Sequence, residues 1–130
     1  MKEENMLFYK CEKCGNFVTF LGKKSGCTPF CCGEEMKAIE PNTTDAAQEK
    51  HVPDVAVDGN KVTVKVGSVA HPMMEKHYIE YIILETSQGC HMKNLAPDMA
   101  PEAEFFLAEG ETPVAAYENC NLHGFWKKEI

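Results

Sequence analysis

The 130-residue sequence contains no arginine: all 13 of its basic residues are lysine, and the net charge is −7. Nucleic-acid binders present a basic face and use the planar guanidinium fork to grip phosphate. This chain offers neither, so nucleic acid is not an expected partner. Long apolar runs are also missing. None approaches the roughly 20 residues that span a bilayer, so no membrane partner is expected. The N-terminal Met1-Lys2-Glu3-Glu4-Asn5 runs into only a short apolar stretch, Met6-Leu7-Phe8-Tyr9, with no small-residue cleavage site after it. That is too short for a secretory leader, and the chain reads as cytoplasmic. Helical periodicity is nearly absent. An acidic surface also repels small anions, so an anionic substrate would need a local positive charge to draw it in.

Cysteine, by contrast, is plentiful. Seven is a high and odd number for a chain of this size. In a reducing compartment, clustered cysteines more often bind metal or do redox work than form disulfides.

Cysteine, glycine and lysine concentrate in residues 1–39, which show little apolar periodicity. Fewer than about 40 residues rarely sustain a core unaided, so this first domain should depend on what its cysteines hold. Residues 40–130 form the second domain. It opens with a linker-like stretch from Glu40 to His51, where Pro41-Asn42-Thr43-Thr44-Asp45 is turn chemistry. The only helix candidate is Asp45 to Lys50. Beyond it, Val55-Ala56-Val57 and Lys61 to Val66 flank Asp58-Gly59-Asn60 and read as a hairpin. Val62, Val64 and Val66 alternate with polar residues, which predicts one buried face. His77 to Leu84 reads as a strand covered on both faces, turning at Thr86-Ser87-Gln88-Gly89 toward Cys90-His91-Met92. Glu104 to Leu107 and Val114 to Tyr117 add two more. Short strands separated by turns predict an all-β sandwich.

Two constellations carry chemistry. Cys11-Glu12-Lys13-Cys14-Gly15 is a C-x-x-C-G knuckle, and Cys31-Cys32-Gly33 is a second cysteine pair. Together they point to a tetrahedral sulfur site, which suits zinc or iron alike. Cys27 lies between the pairs and is an alternative to Cys31. The adjacent pair is better motivated because Gly33 follows it as Gly15 follows Cys14. The second constellation is histidine-rich. His51 precedes Val52-Pro53, His71 and His77 bracket a short loop, and Cys120-Asn121-Leu122-His123-Gly124 places a thiol and an imidazole on one turn. Each histidine alone would more often be an ordinary core or surface residue. In company they favour a metal site, and one thiolate among several imidazoles tilts it toward a redox metal.

Taken in order, the two cysteine pairs, Glu49-Lys50-His51-Val52-Pro53, His71-Pro72-Met73 with His77, and Cys120-Asn121-Leu122-His123-Gly124 resemble desulfoferrodoxin, the two-iron form of superoxide reductase. The resemblance runs from residue 11 to residue 124. It implies a small desulforedoxin-like domain with iron in the thiolates of Cys11, Cys14, Cys31 and Cys32. It also implies an immunoglobulin-like β-sandwich holding a second, catalytic non-haem iron. That iron would take His51, His71, His77 and His123 as equatorial ligands and Cys120 as the axial thiolate, with the sixth position open. The implied reaction is reduction of superoxide to hydrogen peroxide by one electron and two protons, without oxygen production. A rubredoxin-like donor and a homodimer are implied as well. Lys50 would attract the anion and assist proton delivery, while Glu49 would occupy the open position in the ferric state. Cys27, Cys90 and His91 match no family ligand and are expected outside both metal shells. Rival readings are a rubredoxin-type electron carrier, a zinc-ribbon interaction module and a superoxide dismutase.

Overall fold

The computed structural model describes residues 6–22 and 26–130. Met1–Asn5, on which the leader-peptide reading rests, lie outside them. Among the described residues no helix is long and apolar enough to cross a membrane. The chain divides into two compact units, Met1–Glu40 and Pro41–Ile130.

In the first unit, β1 (Phe8–Lys10) pairs antiparallel with β2 (Phe17–Thr19) and β5 (Lys37–Ala38). A second hairpin joins β3 (Phe30–Cys31) to β4 (Glu34–Glu35). Strands of two or three residues are too short to leave a period in the sequence, which is why none is visible there. Among the described residues of this unit, Phe8, Cys11 and Met36 are the buried apolar side chains. So small a core cannot offset the ordering entropy of the segment, which must be closed by other means.

The second unit is a β-sandwich. One sheet has the order β10-β7-β6, from β6 (Pro53–Asp58), β7 (Lys61–Val66) and β10 (Glu102–Phe106). The other has the order β12-β11-β8-β9, from β8 (Ile79–Thr86), β9 (Gly89–Asn94), β11 (Pro113–Cys120) and β12 (Gly124–Glu129). Seven antiparallel strands in two layers make the immunoglobulin-like arrangement expected. Val62, Val64 and Val66 point inward against Ile82, Leu84 and Phe105, as their alternation predicts. The β6–β7 hairpin closes with Asp58 opposite Lys61, leaving Gly59 and Asn60 as the turn residues.

Two expectations need correction, and one strand went unread. The helix is a single turn, α1 (Gln48–His51), rather than Asp45 to Lys50: Ala47, which offers no side-chain cap, is extended (ψ 112°), and so is Val52 before Pro53 (ψ 125°). Glu40 to His51 is not a free linker throughout. The Asn42 side chain accepts from Lys127 N–H (2.8 Å) and donates to Lys127 C=O (3.1 Å), which ties this stretch to β12. The strand β12 itself lacks alternation because both its faces are covered. Phe125 stacks on Tyr117 (5.5 Å between centroids), while Trp126 is buried on the opposite face.

At the far end of β10, Glu111 fastens the following turn. Its carboxylate accepts from the Thr86 hydroxyl (2.5 Å), Ala108 N–H (2.9 Å) and His91 Nε2 (3.0 Å). His91 is therefore a structural partner in this cluster. The hydrogen bond from Thr86, then those from Ala108 and His91, lower the Glu111 pKa from 4.5 to about 2. A lowered carboxylate pKa contributes stability above its ordinary value, and that stability is lost as pH falls through the folded value. Glu111→Gln should therefore lower the Tm at pH 7. The gap from the natural protein should narrow as pH falls below about 4.5, as read by thermal melts at several pH values.

Candidate metal centres

The first cluster is built by two tight turns. Cys11 N–H donates to Asn16 C=O (2.8 Å) and Gly15 N–H to Cys11 C=O (2.9 Å), curling the knuckle around the sulfurs. Gly15 and Gly33 have φ of 82° and 78°, a region glycine enters without steric cost. The sulfurs of Cys11, Cys14, Cys31 and Cys32 lie within 4.8 Å of one another. Cys27 is exposed and is not part of this set. Cys14 N–H donates to Cys11 Sγ (3.4 Å), and Asn16 Nδ2 donates to Cys31 Sγ (3.5 Å). The backbone hydrogen bond from Cys14 lowers the Cys11 pKa to about 6. Sharing the cluster with Cys14 and its neighbours raises Cys31, and raises Cys32 to about 12. The Cys11 thiolate forms readily, and a cation is needed before Cys31 and Cys32 follow.

The second cluster lies at one end of the sandwich. The rings of His51, His71, His77 and His123 follow one another in a closed circuit. Successive centroids are 4.8, 4.7, 5.0 and 4.9 Å apart, and neighbouring planes meet at 74–86°. Cys120 Sγ is the fifth donor, 3.9 Å from His123 Nδ1, and all five donor atoms fall within 4.8 Å. They come from separate segments: α1, the loop after β7, the approach to β8, and the turn between β11 and β12.

Hydrogen bonds fix which ring atoms face inward. His51 Nδ1 is 2.7 Å from Ala47 C=O, and His71 Nδ1 is 2.6 Å from Pro72 C=O. A carbonyl only accepts, so Nδ1 carries the proton and each Nε2 presents a lone pair. The Nε2 atoms of His71 and His77 are buried without a hydrogen-bond partner. His51 Nε2 and His123 Nδ1 face each other at 3.2 Å. Burial lowers the pKa of His51 and His77, and brings His71 to about 4. Neutral imidazoles at pH 7 are what a metal requires. Burial also raises the Cys120 thiol, which ionises on meeting a cation. Five donor atoms converging on one point, two of them buried without a partner, fit a metal ion.

Glu49 and Lys50 lie exposed on α1, flanking the cluster. The Lys50 charge acts on both His51 and His77, and the Glu49 charge acts on His51. Two positioning residues escaped the sequence reading. Trp126 stacks on His51 (5.0 Å, 24°), and its indole N–H donates to His123 C=O (3.0 Å). Asn121 binds Tyr78 through both its backbone and side chain (3.2 and 3.0 Å), and donates to Lys76 C=O (3.0 Å). It thereby straps the Cys120–His123 turn to the segment bearing His77. Trp126 is the only tryptophan and stands three residues after His123, which was the available signal.

A β-sandwich that gathers four imidazoles and a thiolate, preceded by a four-thiolate knuckle, defines a two-centre non-haem metalloprotein. The chain belongs to the desulfoferrodoxin family. The model "Desulfoferrodoxin" matches residues 43–129, and "Desulfoferrodoxin, N-terminal domain" matches residues 3–39. The two clusters match that family's two-iron pattern. Desulfoferrodoxin from Desulfarculus baarsii is 47% identical, covering 97% of this chain and 98% of its own length. The superoxide reductase from Treponema pallidum superposes with a TM-score of 0.81 at 40% identity, covering 97% of this chain and 100% of that one. A one-iron superoxide reductase from Giardia intestinalis matches with a TM-score of 0.55 at 35% identity, over 63% of this chain and 97% of that one.

Trp126→Ala should destabilise the protein by about 3–5 kcal/mol and reduce iron bound at the histidine cluster. Trp126→Phe retains the stacking ring but loses the indole donor, so it should bind iron better than the alanine variant. Chemical denaturation and metal analysis of both variants check this.

Proposed function

We propose that this chain is a superoxide reductase, with catalysis at the cluster of His51, His71, His77, His123 and Cys120. The observation that carries the reading is this donor set, gathered within 4.8 Å, with the Nε2 atoms of His71 and His77 buried and without a hydrogen-bond partner. The ligand atoms are Nε2 of His51, His71 and His77, Nδ1 of His123, and Sγ of Cys120. Ferrous iron held by these residues would supply the electron that takes superoxide, with two protons, to hydrogen peroxide.

The protein's own groups do the rest. His51, His71, His77, His123 and Cys120 would hold the ion. The Cys120 thiolate is an electron-rich donor of the kind that pushes density onto haem iron. Burial of His51, His71 and Cys120 keeps bulk water from their side of the site. Lys50 gives an otherwise acidic molecule a local positive charge that attracts the superoxide anion and orients water for proton delivery. Glu49, next to it, offers a hard carboxylate that would serve the oxidised form of the site.

The sulfurs of Cys11, Cys14, Cys31 and Cys32 hold the second iron. Cys14 and Cys32 are exposed, which supports entry of electrons there from a rubredoxin-like donor protein. The sparse core around them supports a structural role for the same iron, and Cys14→Ser separates the two. Loss of turnover with such a donor, while direct reaction with superoxide persists, would establish relay. We further propose a homodimer in the cytoplasm. Seven cysteines without a disulfide support the reducing compartment, and sedimentation checks the dimer.

Purified protein should carry one iron per donor cluster, two per chain, and two distinct visible ferric chromophores. The reduced form should consume superoxide without evolving oxygen, which sets it apart from a dismutase, an electron carrier and a zinc ribbon. Lys50→Ala should slow the second-order step by on the order of tenfold and flatten its ionic-strength dependence, measured by pulse radiolysis. Glu49→Ala should instead alter the ferric spectrum and later steps. An unchanged salt dependence in the lysine variant would remove Lys50 from the mechanism.

A further inference from the structure

The carbonyl of Glu49 cannot be satisfied inside its own helix. An α-helical carbonyl accepts from the N–H four residues on, and four residues after Glu49 stands Pro53, which has none. The loop after β7 takes over. Val69 N–H donates to Glu49 C=O (2.9 Å), and the Ser68 hydroxyl donates to the same oxygen (3.3 Å).

This approach depends on Gly67. A Cβ built at Gly67 would lie 2.5 Å from the Glu49 oxygen, 2.9 Å from the Lys50 carbonyl carbon and 3.0 Å from the Glu49 carbonyl carbon. All three are backbone atoms, which cannot swing aside as a side-chain end would. Gly67 is buried, whereas Ser68 and Val69 are exposed, so the constraint acts from beneath the loop. The loop is anchored at both ends. Val66 N–H donates to Pro101 C=O (2.9 Å), and His71 N–H donates to Val66 C=O (3.0 Å). One short segment therefore carries a candidate metal ligand, His71, and grips the peptide that joins Glu49 to Lys50. The helix has no side-chain N-cap and only four residues. A single turn of that kind has little stability of its own, so the external grip decides where its side chains project.

We propose that Gly67, Ser68 and Val69 form a backbone clamp that positions Lys50 and Glu49 over the catalytic centre, with Gly67 the residue that permits it. The inference rests on the superoxide reductase reading of the site. The three are positioning residues, since none presents a group to the substrate. The clamp also links the placement of His71 to that of the Glu49–Lys50 peptide, so that displacing the loop moves ligand and charged pair together.

Gly67→Ala, Ser68→Ala and Ser68→Thr in the full iron-loaded chain test this. Gly67→Ala should keep both irons yet lose at least tenfold of the exchange protection of the Val69 amide. It should also flatten the ionic-strength dependence of the superoxide reaction and shift the ferric band that reports on Glu49. Ser68→Ala should do the same more weakly, and Ser68→Thr, which keeps the hydroxyl, should resemble the natural protein. A merely structural role would lower the Tm or the iron content and leave the salt dependence and spectrum of the loaded protein alone. Salt dependence and ferric band unchanged in both Gly67→Ala and Ser68→Ala would overturn the clamp. If Gly67→Ala does not fold, the contrast between Ser68→Ala and Ser68→Thr decides by the same readouts. Failure of the natural protein to react with superoxide would refute the reductase reading instead, while amide exchange at Val69 still reports on the clamp.

Discussion

The second unit is organised around a cost: buried nitrogen and sulfur atoms converge on one point, and the packing satisfies them only in part. The Nε2 atoms of His71 and His77 have no hydrogen-bond partner, while His51 Nε2 meets His123 Nδ1 at 3.2 Å. The surrounding contacts hold this convergence in place. Carbonyls of Ala47 and Pro72 fix two tautomers, Trp126 supports one ring and one ligand backbone, and Asn121 straps the last turn. Such networks orient ligands before the metal arrives and raise their basicity once it has. The sandwich supplies the rigidity, because its strands bring four distant segments to one end without asking any to be long.

The first unit solves the opposite problem. Its strands are minimal and its buried side chains few among the described residues, so a metal held by the thiolates would stand in for a core instead of resting on one. That explains how four cysteines can dominate a segment where Cys14 and Cys32 remain open to solvent. The two centres thus differ in what they need from the chain. One is a site built by a fold, and the other is closer to a fold built by a site.

Much of this was legible in the sequence, for reasons that differ by element. The valines of β7 alternate because one face is buried, and both cysteine pairs are followed by glycine because each turn needs positive φ. The identity of every donor could be read from motif and resemblance, since metal chemistry restricts residue type. What stayed hidden depends on tertiary contact. The strand β12 has apolar residues on both faces and no period. Asn42 looks like turn chemistry, yet it serves as an extra pairing residue for Lys127. Trp126 and Asn121 act through atoms whose partners lie in other segments or along the backbone, and no local pattern announces them. The helix was misplaced because its limits are set by an absent cap and by Pro53, not by propensity.

The tautomers set by Ala47 and Pro72 have a consequence for metal supply. A site whose nitrogen lone pairs are already turned inward does not discriminate by rearranging around its ion. Divalent affinities for nitrogen and sulfur donors rise from iron toward copper, with zinc also above iron. Mismetallation is therefore the natural hazard of this architecture. Iron occupancy would then depend on which metal is available during synthesis, and a chain produced where zinc is plentiful would be expected to take up the wrong metal.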